Sequence, residues 1–290
     1  MRKRLALGTA QFGSSYGIAN KDGQVSQVEL EAILWEAWEA GVDTLDTAIA
    51  YGDCEERLGR IGIDQWQVVS KLPTIPENCK DVAGWVESLV ASSLERLRIP
   101  WLYGLLLHRP EQLLGSMGEE LYAALEKLKA QKLVEKIGVS VYGPAELDTL
   151  GLAYHFDLVQ APFNVVDRRL ATSGWLGRLH EAGTEIHIRS VFLQGLLLMD
   201  AINRPEKFSQ WQPLWNLWHR WLTEQNLTPL QACLNFTMLR PEVSLVIIGV
   251  DSLQQLQEIV AVSDLGVVNF PDNLESLDLN LINPSVWSNL

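Results

Sequence analysis

The chain has 290 residues, of which 47% are hydrophobic, and its formal net charge at pH 7 is -13. Nucleic acid and anionic lipid repel such an acidic surface, so neither is an expected partner. Its 3 cysteines are widely spaced and odd in number, which argues against a disulfide framework and favours a cytoplasmic location. No apolar run approaches the roughly 18 residues of a membrane span, and the run after the basic start at Met1 is too short for a signal peptide.

Short apolar segments alternate with segments of helical periodicity along the whole chain. The predicted strands are 5–8, 44–46, 68–70, 102–107, 136–139, 157–160, 185–188 and 245–248. The predicted helices are 27–40, 55–61, 82–97, 121–130, a short helix opened by Pro144, 170–182, 213–223, 229–239 and 253–260. Ser26 followed by Glu29 predicts a capping box at the start of the first of these helices.

The strands are continuous apolar runs, as expected for parallel strands buried on both faces. Eight strand–helix units in about 260 residues fit a (β/α)8 TIM barrel better than an open doubly wound sheet. Because no linker or repeat interrupts the pattern, we predict a single domain over residues 1–290. The tail from Phe270 looks irregular, and it could pack over one barrel end or be loose.

Titratable residues follow three of the predicted strands. Asp46 ends the second strand and Tyr51 lies in the loop after it, Lys71 follows the third strand, and His108 follows the fourth. Active sites of such barrels lie at the carboxyl ends of the strands, so we expect these four side chains to converge.

These residue types suit reversible carbonyl reduction. A tyrosine hydroxyl is a weak acid, and a neighbouring ammonium such as Lys71 favours the phenolate and lowers its pKa. Asp46 would hold Lys71 through a charge-assisted hydrogen bond, and His108 could donate to the carbonyl oxygen. Tyr51 would then protonate that oxygen as general acid.

At these positions the chain resembles the aldo-keto reductase superfamily. The similarity lies in Asp46-Thr47-Ala48 with Tyr51, in Ser70-Lys71 and in Leu107-His108-Arg109-Pro110, which occur in the family's order and spacing. The resemblance implies an enzyme that reduces a small aldehyde or ketone with NADPH. It assigns Tyr51 as the acid/base and Asp46, Lys71 and His108 as its catalytic partners.

The resemblance also implies where a cofactor would bind. Ser140 and Gln160 match residues that hold the nicotinamide carboxamide, and the loops after the seventh and eighth strands match those that receive the pyrophosphate and the adenosine phosphate. The matched positions in these two loops are Ser190, Phe192, Leu193, Gly195, Gly249, Ser252, Gln255 and Glu258.

Three departures from the family pattern affect the cofactor, one of which is Ile259 in place of an Asn often seen near the adenine. Arg189 occupies the position of the usual aromatic residue that stacks on the nicotinamide, and a planar guanidinium can also stack on a ring. The loop from Gly249 to Gln255 lacks the lysine or arginine often used for the 2′-phosphate. NADP is the predicted cofactor, and the missing lysine or arginine leaves NAD open.

Several alternatives stay open on the sequence alone. Ser140 and Gln160 could contact a cofactor or simply hydrogen-bond at strand ends, and Arg189 could stack on a ring or form a salt bridge. The tryptophans at 211, 215, 218 and 221 could pack on the barrel or line a substrate site. The histidines show no metal-ligand spacing, so no metal is predicted. The alternative function is a cofactor-binding regulatory or redox-sensing barrel with little catalysis.

Overall fold

The computed structural model describes residues 4–262, 266 and 268–290, so the basic tip at 1–3 lies outside the described residues. Its strands are β1 (Leu5–Gly8), β2 (Thr44–Asp46), β3 (Gln67–Leu72), β4 (Leu102–Leu107), β5 (Val134–Ser140), β6 (Leu158–Pro162), β7 (Glu185–Arg189) and β8 (Leu245–Gly249). Each strand pairs in parallel with the next, and β1 pairs with β8, so the sheet closes. The predicted (β/α)8 TIM barrel is confirmed.

Helices connect the strands on the outside of the barrel. The α-helices of the described residues are α1 (Ala10–Gly13), α2 (Gln27–Glu39), α3 (Cys54–Ile61), α4 (Val82–Leu97), α5 (Gly118–Ala130), α6 (Pro144–Leu150), α7 (Arg169–Thr172), α8 (Trp175–Glu181), α9 (Gln212–Gln225), α10 (Pro229–Met238), α11 (Leu253–Ala261) and α12 (Leu279–Ile282). Shorter 3-10 helices are Pro110–Leu114, Leu196–Leu198, Ala201–Asn203, Glu206–Trp211, Asp272–Leu274 and Pro284–Asn289. Within the described ranges, no helix combines the length and the apolar character needed to cross a membrane.

The core has an inner and an outer part. Val69, Leu106 and Leu158 form a small buried cluster of their own, and because β3 and β6 are not neighbours in the sheet, this cluster lies inside the barrel. Leu7 and Leu45, adjacent on β1 and β2, belong to the large cluster that the helices cover. Burial on both faces explains why the strands read as uninterrupted apolar runs.

One predicted helix is wrong in detail. Residues 170–182 form two helices, α7 and α8, because Gly174 between them adopts a left-handed backbone with φ of 82°. A continuous helix cannot pass through a residue in that conformation, which glycine adopts at little cost. The helical periodicity of the flanking residues concealed this break.

The tryptophans of α9 pack on the barrel, as one of the two interpretations predicted. Trp215 and Trp218 are 0% and 1% exposed. Their indole N–H groups donate to the carbonyl oxygens of Phe208 and Leu197, at 2.9 and 3.1 Å. The second bond ties α9 to the loop that follows β7, so this helix supports the carboxyl end of the barrel.

The tail from Phe270 packs against the barrel instead of being loose. The Ser276 N–H donates to the Val166 carbonyl at 2.9 Å, next to the loop after β6. Trp287 is 2% exposed, and its carbonyl accepts from Lys207 Nζ at 2.6 Å. The short helices within this segment were not predicted from its scattered Asn, Asp and Pro residues.

A pair of glycine substitutions tests the packing of the helices. A Cβ at Gly59 on α3 would lie 2.0 Å from the Arg96 carbonyl oxygen on α4, whereas a Cβ at Gly177 on α8 would meet nothing within 4 Å. We expect Gly59→Ala to destabilise the protein by about 1–3 kcal/mol through overpacking. Gly177→Ala, the matched control, should stabilise it by roughly 0.5–1 kcal/mol through helix propensity. Denaturant unfolding measures both, and equal effects of the two substitutions would contradict the close helix contact.

Candidate active site

The carboxyl ends of β2, β3 and β4 bring three of the four predicted catalytic residues to one edge of the barrel. Backbone hydrogen bonds continue the ladder beyond the strands: Thr47 N–H donates to Val69 at 2.8 Å, and His108 N–H donates to Leu72 at 3.1 Å. These two hydrogen bonds fix the positions of Thr47 and His108 relative to the end of β3, where Lys71 lies. The structure therefore has Asp46, Lys71 and His108 at the carboxyl ends of their strands, where the sequence predicted them.

Lys71 and Asp46 form a buried ion pair at the centre of the site. Lys71 Nζ lies 2.8 Å from both carboxylate oxygens of Asp46 and 2.9 Å from the Thr47 carbonyl oxygen. The two side chains are only 2% and 8% exposed. An ammonium has three N–H donors, and here all three have acceptors, which is what burial of this charge requires.

Tyr51 lies directly beside this pair. Lys71 Nζ is 5.3 Å from the centroid of the Tyr51 ring, and the His108 ring meets the tyrosine edge-on, with centroids 6.2 Å apart and planes at 81°. The four predicted catalytic side chains therefore form one cluster, although they come from separate strands and loops. Their catalytic roles stay predictions.

Two glycines hold the Tyr51 loop in place. A Cβ on Gly13 would lie 1.8 Å from the Tyr51 carbonyl oxygen, and a Cβ on Gly52 would lie 2.3 Å from the Gly13 carbonyl oxygen. Gly52 also has a φ of 55°. The end of α1 and the Tyr51 loop can approach this closely only because neither residue has a side chain.

Burial has the largest single effect on the pKa values of Tyr51, Lys71 and His108. It raises the pKa of the Tyr51 hydroxyl above its usual value, although Lys71 lowers it. The lysine alone predicted a lower pKa for Tyr51, and this prediction is wrong because desolvation of the phenolate outweighs its attraction to the ammonium. Burial also opposes the charge of Lys71, but Asp46 and Tyr51 offset it, and the pKa of Lys71 lies above its usual value.

His108 is neutral near pH 7. Burial, followed by the charges of Lys71 and Arg189, lowers the pKa of His108 from 6.5 to about 4. A neutral imidazole can still donate one N–H to a substrate oxygen. The site thus combines a protonated phenol, a charged lysine and a neutral imidazole around one point.

Ser140 and Gln160 extend the ion pair across the barrel. Gln160 Nε2 donates to Asp46 Oδ1 at 2.7 Å, and Ser140 Oγ donates to Gln160 Oε1 at 3.0 Å. Because β6 and β2 are not neighbours, the Gln160 bond crosses the barrel interior. These contacts agree with the interpretation that Ser140 and Gln160 hydrogen-bond at the strand ends. That either side chain contacts a cofactor stays a prediction.

Arg189 forms no salt bridge with any acid of the described residues, so that interpretation is wrong. Its Nη2 donates to the Val141 carbonyl at 3.0 Å, and its Nη1 donates to Ser190 Oγ at 3.3 Å. Its guanidinium lies 5.1 Å from the centroid of the Tyr142 ring, which Arg109 also approaches at 5.4 Å. Two guanidinium groups, those of Arg189 and Arg109, therefore share the Tyr142 ring.

A cleft of about 450 Å³ begins at Asp46 and Tyr51 and extends over the barrel end. Seven of the predicted cofactor residues line it, namely Arg189, Ser190, Phe192, Gly195, Gly249, Gln255 and Glu258. Four do not. Leu193 is 0% exposed, Ser252 caps α11, and Ser140 and Gln160 are buried behind Asp46.

The loop after β7 adopts an unusual backbone along this cleft. Ser190, Leu193 and Gln194 have φ values of 60°, 49° and 53°, and Gly195 has 85°. Left-handed conformations of residues other than glycine are costly and concentrate at functional sites. The loop persists in this form because Leu193 and Leu197 are fully buried and because Trp218 bonds to the Leu197 carbonyl.

The loop after β1, which was not predicted to belong to a binding site, also forms part of the cleft. Tyr16, Ala19 and Asn20 line the cleft together with Gln11 and Gly17. Gln194 Nε2 donates to the Tyr16 hydroxyl at 3.3 Å, and Asn20 Nδ2 donates to Asp251 Oδ1 at 2.9 Å. The loop therefore bridges to the loops after β7 and β8. Its length and its place at the carboxyl end of β1 were the available signal.

Other candidate sites are inert. Cys54 is fully buried, and burial raises the pKa of its thiol, so this cysteine is not activated as a nucleophile. Among the described residues, no three His, Cys, Asp or Glu side chains are grouped as a metal site would need.

Comparison with known proteins gives consistent similarities. The sequence model of the aldo/keto reductase family matches residues 4–270. A D-threo-aldose 1-dehydrogenase from Pseudomonas sp is 28% identical over 258 residues, covering 74% of this chain and 76% of that protein. An aldo-keto reductase from Mycolicibacterium vanbaalenii is 35% identical over 143 residues, covering 46% of this chain and 48% of that protein.

A solved structure has the same fold. The holo form of an aldo-keto reductase from Bacillus halodurans superposes with a TM-score of 0.71 at 18% sequence identity, covering 93% of this chain and 89% of that one. At this identity the similarity concerns the fold.

The protonation of His108 can be tested by NMR. We expect its ring to stay neutral down to a pH of about 4, because burial and the neighbouring cations oppose a further charge. Between that pH and 6.5 the unfolded chain binds a proton that the folded chain does not, so stability falls as pH decreases through this window. The ring nitrogens are followed in a titration of 15N-labelled protein, with His108→Gln as the assignment control. An inflection near 6.5 would contradict the predicted environment.

Proposed function

The chain belongs to the aldo/keto reductase family, and we propose that it transfers hydride between a nicotinamide dinucleotide, NADPH or NADH, and a small aldehyde or ketone. Tyr51 exchanges the proton with the carbonyl oxygen. The observation that carries this proposal is the cluster itself, in which Lys71 bonds both Asp46 oxygens beneath the Tyr51 ring, beside a neutral His108.

The cleft supports binding of an extended dinucleotide. It leads from Tyr51 and Arg189 past the loop after β7 to Gln255 and Glu258 on α11. Its volume of about 450 Å³ falls within the usual range of ligand sites. When bound, a reduced nicotinamide supplies the hydride. Arg189, with its guanidinium already fixed by Val141 and Ser190, would lie against the nicotinamide ring.

The residues of the cluster have separate parts in the proposed reaction. His108 donates an N–H to the carbonyl oxygen and orients it, because its ring carries one proton at neutral pH. Tyr51 gives its hydroxyl proton to that oxygen as negative charge develops there. Lys71, held by Asp46, stabilises the phenolate that forms when the proton leaves. This attraction offsets part of the desolvation cost of the phenolate, which keeps Tyr51 protonated before the reaction.

Aldoses are the substrates we propose first, either as the open-chain aldehyde, which is reduced to an alditol, or as the cyclic hemiacetal, whose C1 hydroxyl loses a hydride to the oxidised nicotinamide and a proton to Tyr51 to give a lactone. The support is the similarity to a D-threo-aldose 1-dehydrogenase over about three quarters of both chains. The mixture of polar and apolar groups at the barrel end is compatible with a polyhydroxylated substrate, and Asn20, Gln11 and Gln194 supply amides along the cleft.

Replacing the acid tests the mechanism. Tyr51→Phe should lower kcat for aldehyde reduction by about 10²–10⁴-fold, the usual contribution of general acid catalysis, because no other group near the oxygen can give up a proton as readily. Dinucleotide affinity should change little, since the ring is retained. Loss of nicotinamide absorbance with a panel of aldehydes and aldoses measures turnover, and quenching of tryptophan fluorescence measures binding.

Tyr122→Phe, which removes a hydroxyl on α5 bonded to the His155 carbonyl, is the matched control and should leave turnover unchanged. Undiminished kcat in Tyr51→Phe would contradict the acid role. Dinucleotide binding by the unmodified protein without turnover of any aldehyde or aldose would favour the regulatory or redox-sensing alternative instead.

A further inference from the structure

The end of the cleft opposite Tyr51 is acidic. This end is lined by Gly249, Asp251, Gln255, Glu258 and Ile259, together with Asn20 from the loop after β1. If the nicotinamide lies at Tyr51, as the proposed function requires, the adenosine half of the dinucleotide extends to this end. NADPH and NADH differ only here, by the 2′-phosphate on the adenosine ribose.

The N-terminus of α11 lies at this end, and helix N-termini commonly bind phosphate through free backbone N–H groups. Here several of the N–H groups at and just before the helix start already donate to side chains. Leu253 N–H donates to Glu29 Oε1 at 2.6 Å, and Gln255 N–H donates to Ser252 Oγ at 3.3 Å. The preceding Asp251 N–H donates to Gln255 Oε1 at 2.8 Å. An incoming phosphate would have to displace these acceptors.

Glu29 comes from α2, a distant part of the chain, and it does not make the local contact that its sequence predicts. In a capping box its carboxylate would bond the Ser26 N–H. In the structure only half of the box is present: Ser26 Oγ accepts from Glu29 N–H at 3.2 Å, while the Glu29 carboxylate is directed to Leu253. The capping-box prediction is therefore wrong for the side chain of Glu29, which caps a second helix instead.

The charges around this end are unfavourable for a second anion. Asp251 and Glu258 line the cleft and Glu29 caps the helix, while Arg189, at the opposite end, is the one Lys or Arg among the cleft-lining residues of the described chain. The exposed Lys21 lies in the loop after β1, next to Asp22. Glu29 and Asp251 are half-buried, so their carboxylates repel a phosphate more strongly than the exposed Glu258 does, because less water screens them. A ribose hydroxyl, in contrast, can donate a hydrogen bond to a carboxylate.

We propose that Glu29, which crosses from α2 to cap α11, acts with Asp251 and Glu258 to select NADH over NADPH by excluding the 2′-phosphate. Glu29 occupies the helix N-terminus where a phosphate would bind, and it also places a negative charge there. Selection arises from repulsion of the wrong cofactor as much as from attraction of the right one. The proposal specifies the cofactor left open in the proposed function and rests on that function.

Binding measurements on the full chain test this selection without any turnover. Dissociation constants for NADH and NADPH are obtained by quenching of tryptophan fluorescence and checked by calorimetry. The unmodified protein should bind NADH at least about tenfold more tightly, a difference of about 1.4 kcal/mol. If NADPH binds as tightly as NADH or more tightly, the inference is overturned while the proposed function stands. If neither dinucleotide binds, the proposed function itself fails.

A charge-neutralising variant then assigns the effect to Glu29. Glu29→Gln keeps an oxygen acceptor for Leu253 N–H and removes the charge, so it should tighten NADPH binding several-fold and leave NADH binding nearly unchanged. Glu39→Gln is the matched control, because it makes the same charge change at the exposed far end of α2. Equal changes in the NADPH to NADH ratio for both variants would overturn the role of Glu29.

Two further variants locate the phosphate. Adding Ser252→Arg to Glu29→Gln supplies a cation at the start of α11 and should reverse the preference to NADPH. Lys21→Ala should leave the ratio unchanged. A selective loss of NADPH binding in Lys21→Ala would show that the loop after β1 holds the phosphate, which would contradict the proposed geometry.

Discussion

The buried ion pair between Lys71 and Asp46 is the interaction on which the site depends. Moving an ammonium into the barrel interior is costly unless all its donors are bonded. Here the carboxylate and the Thr47 carbonyl meet that requirement, and Gln160 and Ser140 continue the hydrogen bonds to the far side of the barrel. The pair therefore fixes the ends of four strands, β2, β3, β5 and β6, relative to one another, and Tyr51 and His108 lie on this fixed base.

The loops that line the cleft, those after β1, β7 and β8, form its cover, and they are held by packing and single hydrogen bonds instead of an ion pair. Left-handed residues in the loop after β7 are held by buried leucines and by the indole of Trp218 from α9. The loop after β1 bonds to the loop after β7 through Tyr16. It bonds to the loop after β8 through Asn20. The candidate catalytic side chains thus lie at strand ends and in the loops next to them, whereas the groups that would hold a long cofactor come from three loops joined by single hydrogen bonds.

The barrel and the convergence of the four candidate catalytic side chains could be predicted from sequence because each depends on local patterns. Apolar runs mark buried strands, and Asp46, Lys71 and His108 stand at strand ends whatever the loops do. The direction of the shift in the Tyr51 pKa could not be predicted, because it depends on how deeply the folded chain buries the hydroxyl. The Glu29 contact with Leu253 was equally hidden, since it joins residues 224 apart along the chain. Gly174 divided a helix whose flanking periodicity was unbroken.

The most direct measurement is a kinetic double-mutant cycle on the ion pair, with kcat determined for Asp46→Asn, Lys71→Met and the double variant. If the pair acts as one unit that places a charge beside Tyr51, either single substitution should remove most of the turnover, and the double variant should be no slower than the slower single variant. Losses that multiply in the double variant would show two independent residues and would contradict the account.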